Sequence, residues 1–329
     1  MVNKKELIKI GEEIRALIEV KQKELDLTFV EDTHIYHIRT LEGEMTTKFP
    51  SVSTVIKQFY NDFPDLEKSL QMSQNDIQDQ DRLLKQWRAE ADYANSKGSR
   101  VHYLLEMDLL AQYGSYKEVR KPFFECDEQQ ISDGNAMIDA GHNFIRLMHR
   151  RGAILLDTEM VLGSNTLKYT GQPDKVWLMF NEQGEVGFVI TDWKTNKAKN
   201  FEIHHYTEPM LHPFKDYDGL LGMDTALAHY SIQLPLYGRL ILDMLKGTKY
   251  ENMKMFGCII VHLTSEGRYK EIRVPSKFIN IVMTMPPLPR IDEVLQKKKD
   301  DIIAEERRLE ELINPTPPVE KTGEWWEGH

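Results

Sequence analysis

Cysteine is scarce in this 329-residue sequence, and its scarcity excludes several kinds of site. Only Cys126 and Cys258 occur. Two thiols are too few for a disulfide framework, a four-cysteine zinc site or a self-contained iron–sulfur cluster. Long apolar runs are missing as well, because none approaches the roughly 20 residues that span a bilayer. We therefore expect a protein of a reducing cytoplasm with no membrane segment.

The sequence also lacks an excess of positive charge. It carries 42 Lys and Arg against 52 Asp and Glu, for a formal net charge of −10. Charge of this sign argues against a general polyanion binder, although local basic patches decide such binding. A groove for a nucleic acid would have to be a local feature of the surface.

Helical segments flank a central set of strand-like runs. After an amphipathic N-terminal helix and a hairpin, helical periodicity covers residues 66–113, 128–150 and 231–246. Strand-like runs cover residues 153–163, 167–180, 184–195, 253–264 and 268–275. Asn95 and Gly98 predict a break in the first of the long helices. Helices around a central set of strands imply an α/β fold.

One strand-like run, GFVITDWKTN, ends in an aspartate and a lysine. Because successive side chains of a strand point to opposite faces, Asp192 and Lys194 share a face and Trp193 takes the other. Antiparallel pairing with the preceding run would place Asp174 near Asp192. Two such carboxylates repel one another unless a cation neutralises them, and Mg²⁺ and Mn²⁺ prefer carboxylate oxygens. The pattern predicts a metal site; a surface ion pair is the alternative for D-x-K alone.

The segments GQPD and ITDWK together resemble the signature of the PD-(D/E)XK nuclease superfamily. Three further segments, GSRVHYLLE, DTEMVLG and HYSIQLPLYGRLI, resemble motifs of its RecB-like members. All of them follow the family's order along residues 96–246. Many relatives carry four cysteines for an iron–sulfur cluster. Because this chain lacks them, it is more similar to the cluster-free phage-type or mitochondrial-type exonucleases.

The resemblance implies three groups of functional residues. The implied catalytic residues are Asp174, Asp192 and Lys194. The implied ligands of Mg²⁺ or Mn²⁺ are His102, Glu159, Asp174, Asp192 and the carbonyl of Trp193. The implied nucleic-acid contacts are Arg100, Gln233 and Tyr237. In this scheme the lysine orients or activates the attacking water and stabilises the transition state.

Pro235 lies between two of these residues and bears on where their helix begins. Proline is comfortable only in the first turn of a helix, so its position predicts a helix that starts at Tyr230 or Ser231. Gln233 would then lie near the positive end of the helix, where an anionic backbone can approach.

The expected function is that of a metal-dependent DNA exonuclease in recombination, repair or replication. Its expected fold is a central mixed β-sheet flanked by helices, as in a restriction-endonuclease-like core. The expected substrate is single-stranded or end-bearing DNA, with a single-strand-binding or annealing protein as a candidate partner, in the host cytoplasm if the gene is phage-borne. The expected regions are an N-terminal helical and hairpin lobe (1–95), the nuclease core (96–289), a charged helix (290–313) and a flexible tail (314–329).

Three alternatives stay open. A structure-specific endonuclease could use the same core. A non-catalytic DNA-binding accessory protein could retain a vestigial site, although every catalytic position here has the expected residue type. A zinc-dependent hydrolase could use the segment IHHYTEPMLH, whose possible ligands are His204, His205, Glu208 and His212.

Overall fold

The computed structural model describes residues 4–31, 33–61, 65–74, 76–113, 125–201 and 208–286, together with Asp300 and Ile303. The chain divides into two compact units. The larger comprises Met1–Pro64 and Lys85–Pro289, and the smaller comprises Asp65–Leu84 and Arg290–His329. Apart from Asp300 and Ile303, the expected charged helix and flexible tail lie outside the described residues.

The described helices and strands follow one another along the chain as follows. The helices are α1 (Lys4–Glu24), α2 (Val52–Val55), α3 (Asp65–Met72), α4 (Ile77–Tyr113), α5 (Glu128–Arg150), α6 (Ala226–Met244) and α7 (Ser276–Thr284). The strands are β1 (Thr28–Val30), β2 (Ile35–Arg39), β3 (Met45–Thr46), β4 (Ile154–Thr158), β5 (Leu162–Ser164), β6 (Tyr169–Gly171), β7 (Lys175–Phe180), β8 (Val186–Lys194), β9 (Lys254–Leu263) and β10 (Tyr269–Arg273).

A five-stranded sheet forms the centre of the larger unit, in the order β10-β9-β8-β7-β4. Strands β8 and β9 are parallel, and the other neighbouring pairs are antiparallel. The sheet is therefore mixed, and the α/β class expected from the sequence is confirmed. Strands β1–β3 form a separate small sheet, and β5 and β6 form a hairpin.

Helices α4 and α5 cover one face of the central sheet. Their apolar side chains form one buried cluster with those of the strands, including Phe144, Trp177 and Trp193. The two helices approach closely at Gly141, where a Cβ atom would lie 2.6 Å from Leu105 Cδ1. This face supplies much of the hydrophobic core behind the candidate site.

The opposite face of the sheet contacts α1 and α6. A Cβ atom on Gly11 of α1 would lie 3.3 Å from Ile154 and 3.4 Å from Leu178, and one on Gly238 of α6 would lie 3.6 Å from Ile190. Side chains at alternate positions of β7 and β8 therefore point towards α1 and α6. Among the described helices, none is long and apolar enough to cross a membrane.

Two predictions about helices are wrong. Helix α4 runs without a break from Ile77 to Tyr113, through Asn95 and Gly98 and across the expected boundary at residue 95. Gly98 instead permits a close approach, since a Cβ atom there would lie 2.9 Å from Thr195 Oγ1. A glycine is needed at position 98 because the chain just after β8 passes close to the helix, and not because the helix ends there.

Helix α6 also begins earlier than Pro235 predicted. Its N-cap is Thr225, whose hydroxyl accepts a hydrogen bond from the Ala228 amide, so Pro235 lies inside the helix. An interior proline removes a backbone hydrogen bond and costs about 3 kcal/mol. Burial of most of this helix, including Leu234 and Leu236 at 0% exposure, offsets that cost. Gln233 therefore lies in the helix interior and not at its positive end.

Candidate active site

The two aspartates of the PD and D-x-K motifs meet where two antiparallel strands lie side by side. Lys175 of β7 pairs with Thr191 of β8, so Asp174 and Asp192 occupy the next opposing positions. The Trp193 amide donates a hydrogen bond to Asp174 Oδ2 at 3.0 Å. The predicted proximity of the two aspartates is confirmed.

Asp192 and Lys194 project from the same face of β8. Their Oδ2 and Nζ atoms lie 2.5 Å apart, and the side chains are 5% and 15% exposed. Trp193 points the other way, is fully buried, and packs edge-to-face on Phe144 with ring centroids 5.5 Å apart. The predicted assignment of faces is confirmed, and this pair is largely shielded from water. The ligand role of the Trp193 carbonyl stays a prediction.

His102 reaches the same site from α4. Its Nδ1 atom lies 3.2 Å from Asp174 Oδ2. Burial by itself would raise the pKa of Asp174, but His102 and Lys175 outweigh burial and hold that pKa well below its usual range. Asp174 is consequently a carboxylate, the form that a cation would bind.

Glu159 lies just beyond the end of β4 and not within a strand as predicted. Its backbone has a φ of 47°, in the left-handed region. The Glu159 amide donates to the Asp174 carbonyl at 3.1 Å, and the Glu159 carbonyl accepts from Gln172 Nε2 at 3.1 Å. These two bonds hold an unusual backbone conformation beside the PD segment, and such conformations often accompany functional sites.

The carboxylates of the site repel one another and shift each other's pKa values. Burial and the nearby Asp174 raise the pKa of Asp192, although Lys194 opposes them. Burial and Asp174 also raise the pKa of Glu159, and Glu106 on α4 adds to the effect. Burial would lower the pKa of Lys194, but Asp192, Tyr230 and Asp174 outweigh burial and raise that pKa, so the ammonium stays charged at neutral pH.

The site combines mutually repelling carboxylates with one imidazole. Such a set of donor atoms fits Mg²⁺ or Mn²⁺. Their present arrangement is not a finished coordination shell. Within the described ranges, no group of three or more His, Cys, Asp and Glu side chains is arranged to hold a metal ion. Asp174 instead pairs with His102, and Asp192 pairs with Lys194. Metal binding would require these side chains to exchange partners.

Gln233 and Tyr237 lie one turn apart on α6 and interact directly. Gln233 Nε2 donates to the Tyr237 hydroxyl at 2.9 Å. Burial raises the pKa of Tyr237, and the charge of Asp192 raises it further. The Tyr237 ring packs on Gly171, where a Cβ atom would lie 2.7 Å from Tyr237 Cε1. Tyr237 therefore lies within the field of the D-x-K aspartate.

Tyr230 is a site residue that the motif comparison missed. Lys194 Nζ lies 4.2 Å from the centroid of its ring, a cation–π distance. Its hydroxyl donates to Asn196 Oδ1 at 3.2 Å. Tyr230 precedes Gln233 by three residues and Tyr237 by seven, so helical spacing could have placed it on their face.

Arg100 is directed to the neighbouring helix. Its guanidinium donates to Asn135 Oδ1 on α5 at 2.9 Å, and a Cβ atom on Gly134 would lie 3.0 Å from Arg100 Nη1. The phosphate contact expected of Arg100 stays a prediction.

A cleft of about 1000 Å³ opens beside the carboxylates. Glu106, Glu159 and Tyr237 are among its lining residues, and burial and the charges of Asp174 and Asp192 raise the pKa of both Glu159 and Tyr237. Tyr36 of β2 also borders the cleft, and burial together with Glu159 raises its pKa. The hydrogen-bonding groups that line the cleft include Gln172, Ser51, Ser53 and Thr54. A polar ligand in this cleft would therefore meet Glu159 and Tyr237.

The segment IHHYTEPMLH, proposed as an alternative zinc site, is only partly described by the structure. His204 and His205 lie outside the described residues, and Glu208 and His212 are exposed. The zinc alternative therefore gains no support from the part of the chain that the structure covers.

Comparisons with known proteins do not indicate a family for this chain, so any functional assignment depends on the geometry of the site. The geometry groups His102, Asp174, Asp192 and Lys194, which three contacts bring together from three stretches of the chain. No model of a known protein family matches the sequence, and no curated protein matches it significantly.

Proposed function

We propose that this protein is a metal-dependent DNA exonuclease with a PD-(D/E)XK-type, restriction-endonuclease-like core. One observation carries the proposal: Asp174 and Asp192 oppose each other on paired strands with Lys194 on the same face. His102, from a helix about 70 residues earlier in the sequence, completes this group at 3.2 Å from Asp174. A surface ion pair needs neither the second aspartate nor the histidine.

The acidic groups would hold the cation. Asp174 and Asp192, with His102 and Glu159, supply carboxylate oxygens and one imidazole nitrogen to Mg²⁺ or Mn²⁺. When bound, such an ion polarises a phosphate and lowers the pKa of a coordinated water. The repulsion that raises the pKa of Asp192 and Glu159 disfavours the ion-free site and so favours binding of a cation.

Lys194 would stabilise charge on the phosphate. Its pKa is raised by Asp192, Tyr230 and Asp174 despite burial, so it is a cation throughout the neutral range. A permanently charged ammonium is a poor general base but a good electrostatic partner for the transition state. We therefore assign Lys194 to transition-state stabilisation and orientation of the water, and not to proton abstraction.

Gln233 and Tyr237 would position the substrate strand. Neither amide nor phenol is a favoured ligand for a hard cation. Their mutual hydrogen bond uses one amide hydrogen of Gln233, and a glutamine side chain also has a carbonyl oxygen and a second amide hydrogen that could bind a nucleotide. Tyr237 lines the same cleft as Glu159 and Glu106, and we assign the substrate strand to this cleft.

The test is a cleavage assay with end-labelled oligonucleotides, single- and double-stranded, and with covalently closed circles. We expect Mg²⁺ or Mn²⁺ to support shortening of linear DNA from an end, and Ca²⁺ to permit binding but little cleavage. Cleavage of closed circles would indicate an endonuclease instead. Absence of cleavage with both active metals, or full activity in excess EDTA, would contradict the proposal.

A matched pair of variants ties the activity to the site. Asp192→Asn should abolish cleavage. Glu185→Gln changes an acid at the opposite end of the same strand pair, where Glu185 is exposed and contacts Lys254, and should cleave normally. Equal loss in both variants would point to a general effect on the fold.

A further inference from the structure

Lys175 is a buried cation that the proposed chemistry does not use. It is the first residue of β7, and its side chain is 0% exposed. Within the described part of the chain its Nζ atom has no hydrogen-bond partner. The Asp174 Oδ2 atom lies 4.0 Å away, and the centroid of the Trp193 ring lies 5.0 Å away.

A buried ammonium without hydrogen bonds is strongly unfavourable unless opposite charge compensates it. An apolar side chain would suit this position, because Trp177, which shares the face of β7 with Lys175, and Trp193 beside it are both fully buried. Hydrophobic burial therefore does not explain why this residue is a lysine. A nearby carboxylate that compensates the charge of the ammonium does explain it.

The acids that feel this charge belong to the candidate site. The carboxylate of Asp174, one of these acids, lies 4.0 Å from the Lys175 Nζ atom. Lys194, by contrast, is paired with Asp192 and remains 15% exposed, so it can meet a substrate. Lys175 cannot, because none of its side chain reaches the surface. It is a positioning residue and not a catalytic one.

We propose that Lys175 is an internal counter-ion that holds the carboxylates around Asp174 together when no divalent cation is bound. The proposal rests on the proposed function. It implies competition, since a bound cation and the Lys175 ammonium repel each other across the same carboxylate. Lys175 would thus stabilise the ion-free protein and weaken cation affinity, which keeps the ion exchangeable.

The experiment uses the full chain with Mn²⁺ alone as the probe. Lys175→Met keeps the length of the side chain and removes its charge. In EDTA the variant should melt at a lower temperature than the wild type. Saturating Mn²⁺ should raise its melting temperature by more than it raises that of the wild type, and calorimetric titration should give a Kd about tenfold lower.

Leu178→Ala is the matched control. It removes buried apolar volume from the same strand without changing charge, since Leu178 is fully buried. We expect it to lower the melting temperature equally in EDTA and in Mn²⁺ and to leave the Mn²⁺ Kd unchanged. If Lys175→Met behaves like Leu178→Ala, the counter-ion role is wrong and Lys175 is merely structural.

A double variant covers the case in which Lys175→Met does not fold. Asp174→Asn combined with Lys175→Met removes both charges, so it should be more stable in EDTA than Lys175→Met alone. A double variant that is no more stable would overturn the inference. A wild type without any response to Mn²⁺ would instead contradict the proposed function, and the comparison in EDTA would still decide the role of Lys175.

Discussion

Lys194 Nζ and Asp192 Oδ2 are 2.5 Å apart on one face of β8, and the same Nζ atom lies 4.2 Å from the centroid of the Tyr230 ring. The same contact would exist in a structural ion pair and in a nuclease site. The two cases predict different effects on stability, metal affinity and turnover when either residue is replaced. Separate substitutions of the two residues therefore distinguish them.

Asp192→Asn and Lys194→Ala should have different effects on metal binding and on turnover. Asp192→Asn removes a ligand, so Mn²⁺ affinity and cleavage should fall together. Lys194→Ala should leave Mn²⁺ binding intact or slightly stronger and reduce turnover by about 10² or more, the scale of one lost transition-state stabiliser. Calorimetry and single-turnover assays on the same preparations measure both.

Melting temperatures of these two variants provide the control. Because the pKa of Asp192 is raised, the folded protein disfavours its charged form, and Asp192→Asn should be as stable as the wild type or more stable in EDTA. A Lys194→Ala protein that is unstable yet fully active would show a structural ion pair and end the nuclease interpretation.

Glu159→Gln should change how stability depends on pH. A raised pKa in the folded state means that the folded protein binds the proton more tightly than the unfolded chain does. Stability associated with Glu159 is therefore present below the ordinary glutamate pKa of about 4.3 and is lost as the pH rises through the higher folded-state value. In EDTA at neutral pH, Glu159→Gln should melt above the wild type, and the difference should shrink on acidification.

Glu185→Gln is the contrasting variant for this measurement. The pKa of Glu185 is lowered, chiefly by its hydrogen bond with Lys254, so its contribution has the opposite sign. It should melt at or slightly below the wild type at neutral pH, with the difference again vanishing in acid. An identical pH profile for both variants would contradict the electrostatic description of the site.

Tyr237→Phe and Gln233→Ala should affect the substrate more than the metal. The phenylalanine keeps the ring that packs on Gly171 and removes only the hydroxyl that accepts from Gln233. We expect near-normal Mn²⁺ titrations and reduced cleavage in both variants, with an increase in KM. A collapse of metal affinity would show that these residues belong to the ligand shell and not to the strand-binding surface.

Gly141→Ala tests the support behind the site. The new methyl group would lie 2.6 Å from Leu105 Cδ1, so the buried Leu105 side chain must move or α4 and α5 must separate, at a cost of about 1–3 kcal/mol in the free energy of unfolding. Denaturant unfolding measures this cost. Ser132→Ala on the exposed surface of α5 is the control, and its unfolding should change by no more than about 0.5 kcal/mol. Equal stability of the two variants would contradict the close packing.

Local sequence patterns anticipated much of the candidate site. The alternation of side chains along a strand sufficed to put Asp192 and Lys194 on one face and Trp193 on the other, since that period of two is a property of the extended backbone. The short connection around Asn181–Glu185 made antiparallel pairing of β7 and β8 the simplest arrangement, and this pairing set Asp174 opposite Asp192. The α/β class followed from the order of helices and strands, and the mixed sheet was implied by the family resemblance.

Tertiary packing decided the features that local rules mispredicted. Gly98 and Pro235 both signal helix ends, yet α4 and α6 continue through them, because the contact with Thr195 and the burial of α6 outweigh intrinsic helix preference.

The sequence by itself thus determined which side chains share a strand face, because that depends only on the backbone repeat. It did not determine the environment of Lys175. That lysine follows the PD motif as an ordinary strand residue, and only the arrangement of α4, β7 and β8 buries its ammonium beside Asp174 and Trp193. Burial and charge compensation depend on groups that are distant in the chain, and those groups meet only in the folded protein.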